Sequence, residues 1–200
     1  QVINKHSQEV MNKSSIVRPL RWLLRFRHRR GYGIHSPFAF SFVTGVVYEQ
    51  GTYYAYSELK AMYKKLRPHG VRLKDGRLLF RLANFAQPQV IGLVGYRIDS
   101  WAARCLSEGC RHARIVEDDE LSQADFVLLS AMKARQAEAI LANLPTGGTL
   151  VVMHTIGRNR EVWRSVIAHP RAVVTFNLAD FGIVMVRPEL NKQNYVINYY

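Results

Sequence analysis

The stretch Gln89–Gly95 (QVIGLVG) decides the fold of this 200-residue chain. It is a short apolar run between Pro88 and a glycine turn, which is typical of a strand buried on both faces of a sheet. Ile98, Trp101, Ala102 and Cys105 follow at helical spacing. The next run, Arg114–Glu117 (RIVE), reads as a brief strand that ends on an acid. The sequence therefore predicts a strand–turn–helix–strand unit around Gly95.

The same alternation continues towards the C-terminus. Strands are predicted at Asp125–Ser130 and Thr149–Met153, each followed by a helical pattern. Two further strands, Ala172–Asn177 and Ile183–Val186, are so close in sequence that they can only pair as an antiparallel hairpin. We therefore expect an α/β fold of the Rossmann-like type, with a mostly parallel sheet and helices on both faces.

Only helical patterns precede Pro88. The segment Arg18–Arg30 is basic and apolar, and Gly31-Tyr32-Gly33 is a plausible end for that helix. Ser36 and Pro37 then form a typical helix start, as the N-cap and the first helical residue. We expect an N-terminal basic helical arm or cap in residues 1–88 and a Rossmann-like domain in residues 89–200.

Charge is concentrated in the N-terminal half. Residues 1–90 hold 16 Lys and Arg against four Asp and Glu, whereas residues 91–200 hold 12 against 11. Arg18, Arg21, Arg25 and Arg29 share one helical stripe, which suggests an anionic partner, either a membrane surface or nucleic acid. A solvated arginine face packed on the domain and a protein partner are the alternatives. No recognised nucleic-acid-binding motif accompanies the stripe.

Several classes of protein are disfavoured by composition. No apolar run reaches the ~18 residues of a membrane-spanning helix, and the polar first residues lack the apolar centre of a signal peptide. Cys105 and Cys110 are too few for a disulfide framework or a four-ligand zinc site, so we expect reduced thiols and no metal. Cytoplasmic residence fits best.

Three segments resemble, in order, a bacterial group of methyltransferase-like proteins that carry GxGxHSPF. They are Gly31–Val43 (GYGIHSPFAFSFV), Arg77–Gly95 (RLLFRLANFAQPQVIGLVG) and Val162–Ile197. The closing hairpin is similar to that of class I S-adenosylmethionine-dependent methyltransferases. The resemblance implies their sheet and S-adenosylmethionine as cofactor, but it assigns no role to His35-Ser36-Pro37-Phe38.

The resemblance also implies a set of cofactor-binding residues. Gly95 matches the first glycine of the cofactor turn, and Tyr96 follows it. Glu117 ends the second strand, where family members hold the ribose hydroxyls with an acid. Alternatively, Glu117 merely opens an acidic loop. Ser130 ends the strand after it and completes the predicted set.

Other positions depart from the family pattern. Leu93 stands where the family has an acid in the first strand, and Asp99 stands near a later glycine. Only residues 118–125 separate the second strand from the next, so we expect the third-strand unit of the family to be deleted. Ser130 and His154 replace the two aspartates of metal-dependent relatives, and His154 is either a base or a structural strand-end residue.

Three functional hypotheses therefore stay open. The first is a methyltransferase acting on a small molecule, or on RNA, with no catalytic side chain assigned. The second is a catalytically inactive binding or scaffold protein that keeps the fold. The third is a binder of anionic surfaces that acts through Arg18–Arg30.

Overall fold

The computed structural model describes residues 31–68 and 70–199, which build a seven-stranded sheet. The strands are β1 (Val90–Val94), β2 (Arg114–Val116), β3 (Phe126–Leu129), β4 (Thr149–Met153), β5 (Val174–Asn177), β6 (Phe181–Met185) and β7 (Gln193–Val196). Their order is β2-β1-β3-β4-β6-β5-β7. β6 pairs antiparallel with β4 and β5, while the remaining pairs are parallel. The predicted mostly parallel sheet with a closing antiparallel hairpin is confirmed.

Helices cover both faces of this sheet. They are α1 (Pro37–Phe42), α2 (Tyr56–Leu66), α3 (Leu73–Ala86), α4 (Trp101–Gly109), α5 (Ala134–Asn143) and α6 (Arg160–Ala168). Successive strand residues face opposite sides, so Leu93 joins a hydrophobic cluster with α1–α4 and Val94 joins a second cluster with α5 and α6. The helices before Pro88 thus share a core with the sheet. The division at residue 88 stays a prediction.

The predicted helix start at Ser36 is confirmed. The Ser36 hydroxyl accepts a hydrogen bond from the Ala39 amide at 3.3 Å, and Pro37 is the first helical residue. α1 continues into a π-helical turn, Val43–Val47. The phenyl ring of Phe38 lies 5.2 Å from the Arg187 guanidinium. The HSPF segment therefore starts α1 and anchors it to the C-terminal region.

A short 3₁₀ helix, Asp118–Gln123, replaces the third-strand unit. β2 and β3 both pair with β1, so this connection passes over β1 on one face of the sheet. A Cβ added to Gly92 would lie 2.5 Å from Leu121 Cδ2 and 3.1 Å from Ala124 Cβ. The missing side chain at Gly92 therefore lets Leu121 lie against the sheet. The expected shortening is confirmed, and β2 is left as the edge of the sheet.

The opposite edge carries a strand that the sequence pattern did not predict. β7 pairs in parallel with β5, and its residues are mostly exposed, so they lack the apolar run of a central strand. Side-chain contacts fix it: the Thr175 hydroxyl donates to Asn194 Oδ1 at 2.7 Å, and the rings of Phe176 and Tyr195 stack at 5.3 Å. An edge strand of this kind is stabilised by its neighbour, not by its own hydrophobic pattern.

Two predictions made from the sequence concern contact with a membrane. The basic helix predicted at Arg18–Arg30 lies outside the described residues. Within residues 31–68 and 70–199, no helix is long and apolar enough to cross a membrane.

The contact between Leu121 and Gly92 yields a first prediction. Gly92→Ala forces an added methyl group into Leu121 and should lower the free energy of unfolding by about 1–3 kcal/mol, a typical cost of overpacking. Because Leu121→Ala opens the same space, the double variant should be less destabilised than the sum of the single changes. Urea unfolding measures all three.

A matched glycine serves as the control. Nothing lies within 4 Å of a Cβ built on Gly45, so Gly45→Ala should leave stability unchanged or raise it. Strictly additive effects of Gly92→Ala and Leu121→Ala would contradict the proposed contact.

Candidate functional site

The turns after β1, β3 and β4 lie side by side at the carboxyl ends of these strands. These strands are parallel neighbours, with Val94 opposite Leu129 and Leu129 opposite Val152. The strand order reverses at β1, since β2 lies on one side of it and β3 on the other. In open α/β sheets, ligands bind in the crevice at such a switch point. We call the region around Gly95, Glu117, Ser130 and His154 the strand-end crevice.

Gly95 brings two of these turns into close approach. Its φ of 70° is left-handed, a conformation that glycine adopts without steric cost. A Cβ at this position would lie 3.3 Å from the Ala131 amide nitrogen and 3.5 Å from the Ala131 oxygen. The Ser130 amide donates to the Val94 carbonyl at 2.9 Å, which holds the two strand ends together. Gly95 is exposed, so the backbone here is open to a ligand.

Glu117 joins the end of β2 to the same turn. Its Oε1 accepts a hydrogen bond from the Ile98 amide at 2.6 Å. The side chain is exposed, and a carboxylate has several acceptor positions, so this bond leaves capacity for ligand hydroxyl groups. The structure thus brings Glu117 and the Gly95 turn together, as expected for a pair that serves one ligand.

Tyr96 and Ser130 lie deeper in the crevice. Burial raises the pKa of Tyr96, while the charge of Arg158 acts in the opposite direction. The Ser130 Oγ accepts a hydrogen bond from Arg158 Nη2 at 2.7 Å, and the geometry leaves the buried Tyr96 hydroxyl without a hydrogen-bond partner among the described residues. A buried polar group without a partner is costly, so a polar ligand atom at this point would be stabilised.

His154 follows β4 and has a left-handed φ of 57°. Its amide donates to the Asp180 carbonyl at 2.7 Å. Burial and the Arg158 charge lower the pKa of the imidazole, while the carboxylates of Asp180 and Asp75 act in the opposite direction. His154 is therefore neutral near pH 7 and can accept a proton. The structure supplies the nearby carboxylates that the sequence around His154 does not show.

Those carboxylates belong to a small ionic group that sequence reasoning missed. Asp75 is buried, and Arg72 binds both of its oxygens, at 2.7 and 2.9 Å. The same guanidinium lies 4.0 Å from the Asp180 carboxylate. An acid within the basic and apolar helix α3 is a sequence signal for Asp75. Asp180 has no such signal, because only the folded chain brings it beside His154. Arg158 is four residues from His154, on the other side of a turn.

The position of the missing family acid is filled by a core residue. Leu93 is fully buried in the cluster that joins α1–α4 to the sheet. A leucine side chain neither accepts hydrogen bonds nor balances an ammonium charge. Within the described parts of the chain, no three His, Cys, Asp or Glu side chains come together in a way that would hold a metal ion.

Comparison with known proteins places this architecture. No protein-family model matches the chain, and no curated protein sequence matches it. Among solved structures, the SAH-bound methyltransferase PaMTH1 of Podospora anserina has a TM-score of 0.50 and 14% sequence identity, over 70% of this chain and 90% of that chain. A methyltransferase of Geobacter sulfurreducens has a TM-score of 0.48 and 13% identity, over 70% and 91% of the two chains. The likeness to the Podospora protein shows that the chain has a Rossmann-like fold of the methyltransferase type.

The lowered pKa of His154 yields a second prediction. The unfolded chain binds a proton at the ordinary pKa of 6.5, whereas the folded chain resists it, so stability falls as pH drops below that value towards the folded pKa. Asparagine tolerates left-handed φ and does not titrate in this range. The melting temperature of the wild type should therefore fall more than that of His154→Asn between about pH 7.5 and about pH 5.5. Equal falls would contradict the environment described for His154.

Proposed function

We propose that this chain binds S-adenosylmethionine in the strand-end crevice and transfers its methyl group to a small-molecule acceptor. One observation carries the proposal: Glu117 and the Gly95 turn meet at the switch point, joined by the 2.6 Å bond to Ile98. The fold shared with the SAH-bound Podospora methyltransferase supports the choice of cofactor.

Each crevice residue has a role in this proposal. Glu117 accepts hydrogen bonds from the ribose hydroxyls, which is favourable because its acceptor is charged. Gly95 exposes backbone for close approach of the ligand. Tyr96 offers its buried and unsatisfied hydroxyl, and Ser130 with Arg158 offers further polar groups. When bound, the cofactor supplies an activated methyl group, and the protein contributes mainly orientation of the two reactants.

A second function is favoured by a different observation. Leu93 fills the position of the family acid with a buried apolar side chain, and the 3₁₀ helix replaces the unit that includes the third strand. Both changes remove contacts to the cofactor that the resemblance implies. The alternative proposal is a binding protein that keeps the methyltransferase fold without catalysis, and it predicts ligand binding without turnover.

Further proposals rest on the sequence. We infer that the chain belongs to the GxGxHSPF group, that it acts in the cytoplasm, and that its basic N-terminal stripe contacts an anionic partner. That stripe consists of Arg18, Arg21, Arg25 and Arg29, all outside the described residues. Binding of anionic vesicles or of RNA by the full chain, compared with a variant carrying glutamine at all four positions, tests the last inference.

A third prediction tests binding of the cofactor. At ~100 times its dissociation constant, S-adenosylhomocysteine should stabilise the protein by about 2.7 kcal/mol. For a chain of this size, the melting temperature should rise by roughly 5–10 °C. No rise with either S-adenosylhomocysteine or S-adenosylmethionine would reject the proposed cofactor.

Variants at Glu117 locate the site. Glu117→Gln retains an acceptor for the Ile98 amide but loses the charge, so the affinity for S-adenosylhomocysteine should fall about tenfold, while Glu117→Ala should abolish binding. Glu161→Gln removes the same charge from an exposed position on α6 and should leave the affinity unchanged. Unaltered affinity in Glu117→Ala would reject the assignment of this residue.

A further inference from the structure

A second cavity, separate from the strand-end crevice, lies on the outer side of α3. Its volume is about 660 Å³, within the usual range for small-molecule sites. The turn after α1, the start of α2, one side of α3 and the C-terminal residues Asn198 and Tyr199 enclose it. None of Gly95, Glu117 and Ser130 lines it. We call it the cationic cavity, because lysine and arginine side chains line it.

Positive charge dominates its walls. Lys74, Arg77 and Arg81 lie at i, i+3 and i+7 along α3, so they share one side of that helix, and Lys60 projects from α2. Glu49 is the acidic residue among the lining residues. Even with Lys74 set aside, three cations line the cavity against one carboxylate, and this excess creates a positive potential that attracts anions.

Arg81 is a buried cation whose partners among the described residues are neutral groups. Its side chain is 6% exposed and donates to the carbonyls of Val46 at 2.6 Å and Val47 at 3.1 Å, and to the Tyr56 hydroxyl at 3.0 Å. Within residues 31–68 and 70–199, no carboxylate forms an ion pair with it. Burying a guanidinium among neutral acceptors carries a desolvation cost that a nearby anion would offset.

Arg77 provides an independent indication. Its guanidinium lies 4.7 Å from the centre of the Tyr56 ring. The Nε atom is buried and has no hydrogen-bond partner in the described part of the chain. An arginine held beside an aromatic ring, with a donor unused, has the planar fork that matches the oxygens of a phosphate group.

The remaining wall is held in place by the C-terminal residues. The Tyr48 hydroxyl donates to the Asn198 carbonyl, and the Tyr199 hydroxyl donates to the Lys74 carbonyl at 3.0 Å. The Lys74 ammonium lies 4.3 Å from the centre of the Tyr199 ring. Tyrosine rings therefore stand beside the cations in the wall of the cavity.

We propose that the cationic cavity binds a phosphorylated small molecule, with its phosphate against Arg77 and Arg81 and its organic part beside the tyrosine rings. Phosphate fits better than a single carboxylate, because several converging cations favour a group of higher charge. This site is independent of cofactor binding in the crevice.

Isothermal titration calorimetry at fixed ionic strength tests this inference, with pyrophosphate as the probe. The wild type should bind one equivalent saturably. Arg77→Gln should weaken binding about tenfold, and Glu49→Gln should strengthen it a few fold, because one removes a cation and the other the opposing carboxylate. Arg81 is left unchanged, since it also holds the backbone of residues 46 and 47.

Control variants separate a built site from diffuse attraction. Arg135→Gln removes an exposed charge on α5, across the sheet from the cavity, and should leave the affinity for pyrophosphate unchanged. Glu117→Gln should leave it unchanged as well. Absence of saturable binding, or equal weakening by Arg135→Gln and Arg77→Gln, would overturn the proposal. If Arg77→Gln does not fold, the exposed Lys60→Gln replaces it, with a loss of a few fold expected.

Discussion

The contact between Leu121 and Gly92 is the constraint on which the rest of the structure depends. A parallel crossover normally needs a helix and a dozen or more residues, because the chain must pass over the sheet at the height of a packed helix. Here a 3₁₀ turn lies directly on β1, which only a residue without a side chain permits. This close crossing keeps β2 and β3 on either side of β1. It therefore also fixes Glu117, at the end of β2, beside the turn that Gly95 begins.

Helix α3 links the two candidate sites without merging them. Its first turn carries Asp75, which Arg72 holds near His154 at the strand ends. Lys74, Arg77 and Arg81 of the same helix direct their charges to the cationic cavity. Because one helical turn takes 3.6 residues, residues that are adjacent in sequence face different sides of α3. Asp75 therefore lies on one side of α3, and the basic residues of this helix lie on the other.

Sequence reasoning worked where local pattern and global fold agree. Three kinds of feature were predictable, because burial or backbone geometry dictates their residues. They are the apolar runs of β1, β3 and β4, the helix start at Ser36 and the short connection after β2. β7 was not, since an edge strand needs no apolar alternation. The group of Asp75, Asp180 and Arg158 around His154 was equally hidden, as was the cavity beside α3. Apart from Arg158, which follows His154 by four residues, these residues come from segments far apart in sequence, which only tertiary packing brings together.

Loss of the third-strand unit has a consequence for self-association. It leaves β2 as an outer strand of the sheet that the described residues build, and the outward backbone groups of such a strand are a template for pairing with another chain. Two features of this strand work against such pairing. β2 is only three residues long, and its exposed Arg114 forms an ion pair with Glu120 of the following turn. Short length and charge are the devices by which native sheets protect an edge. The shortened fold thus carries its own protection against edge-to-edge aggregation.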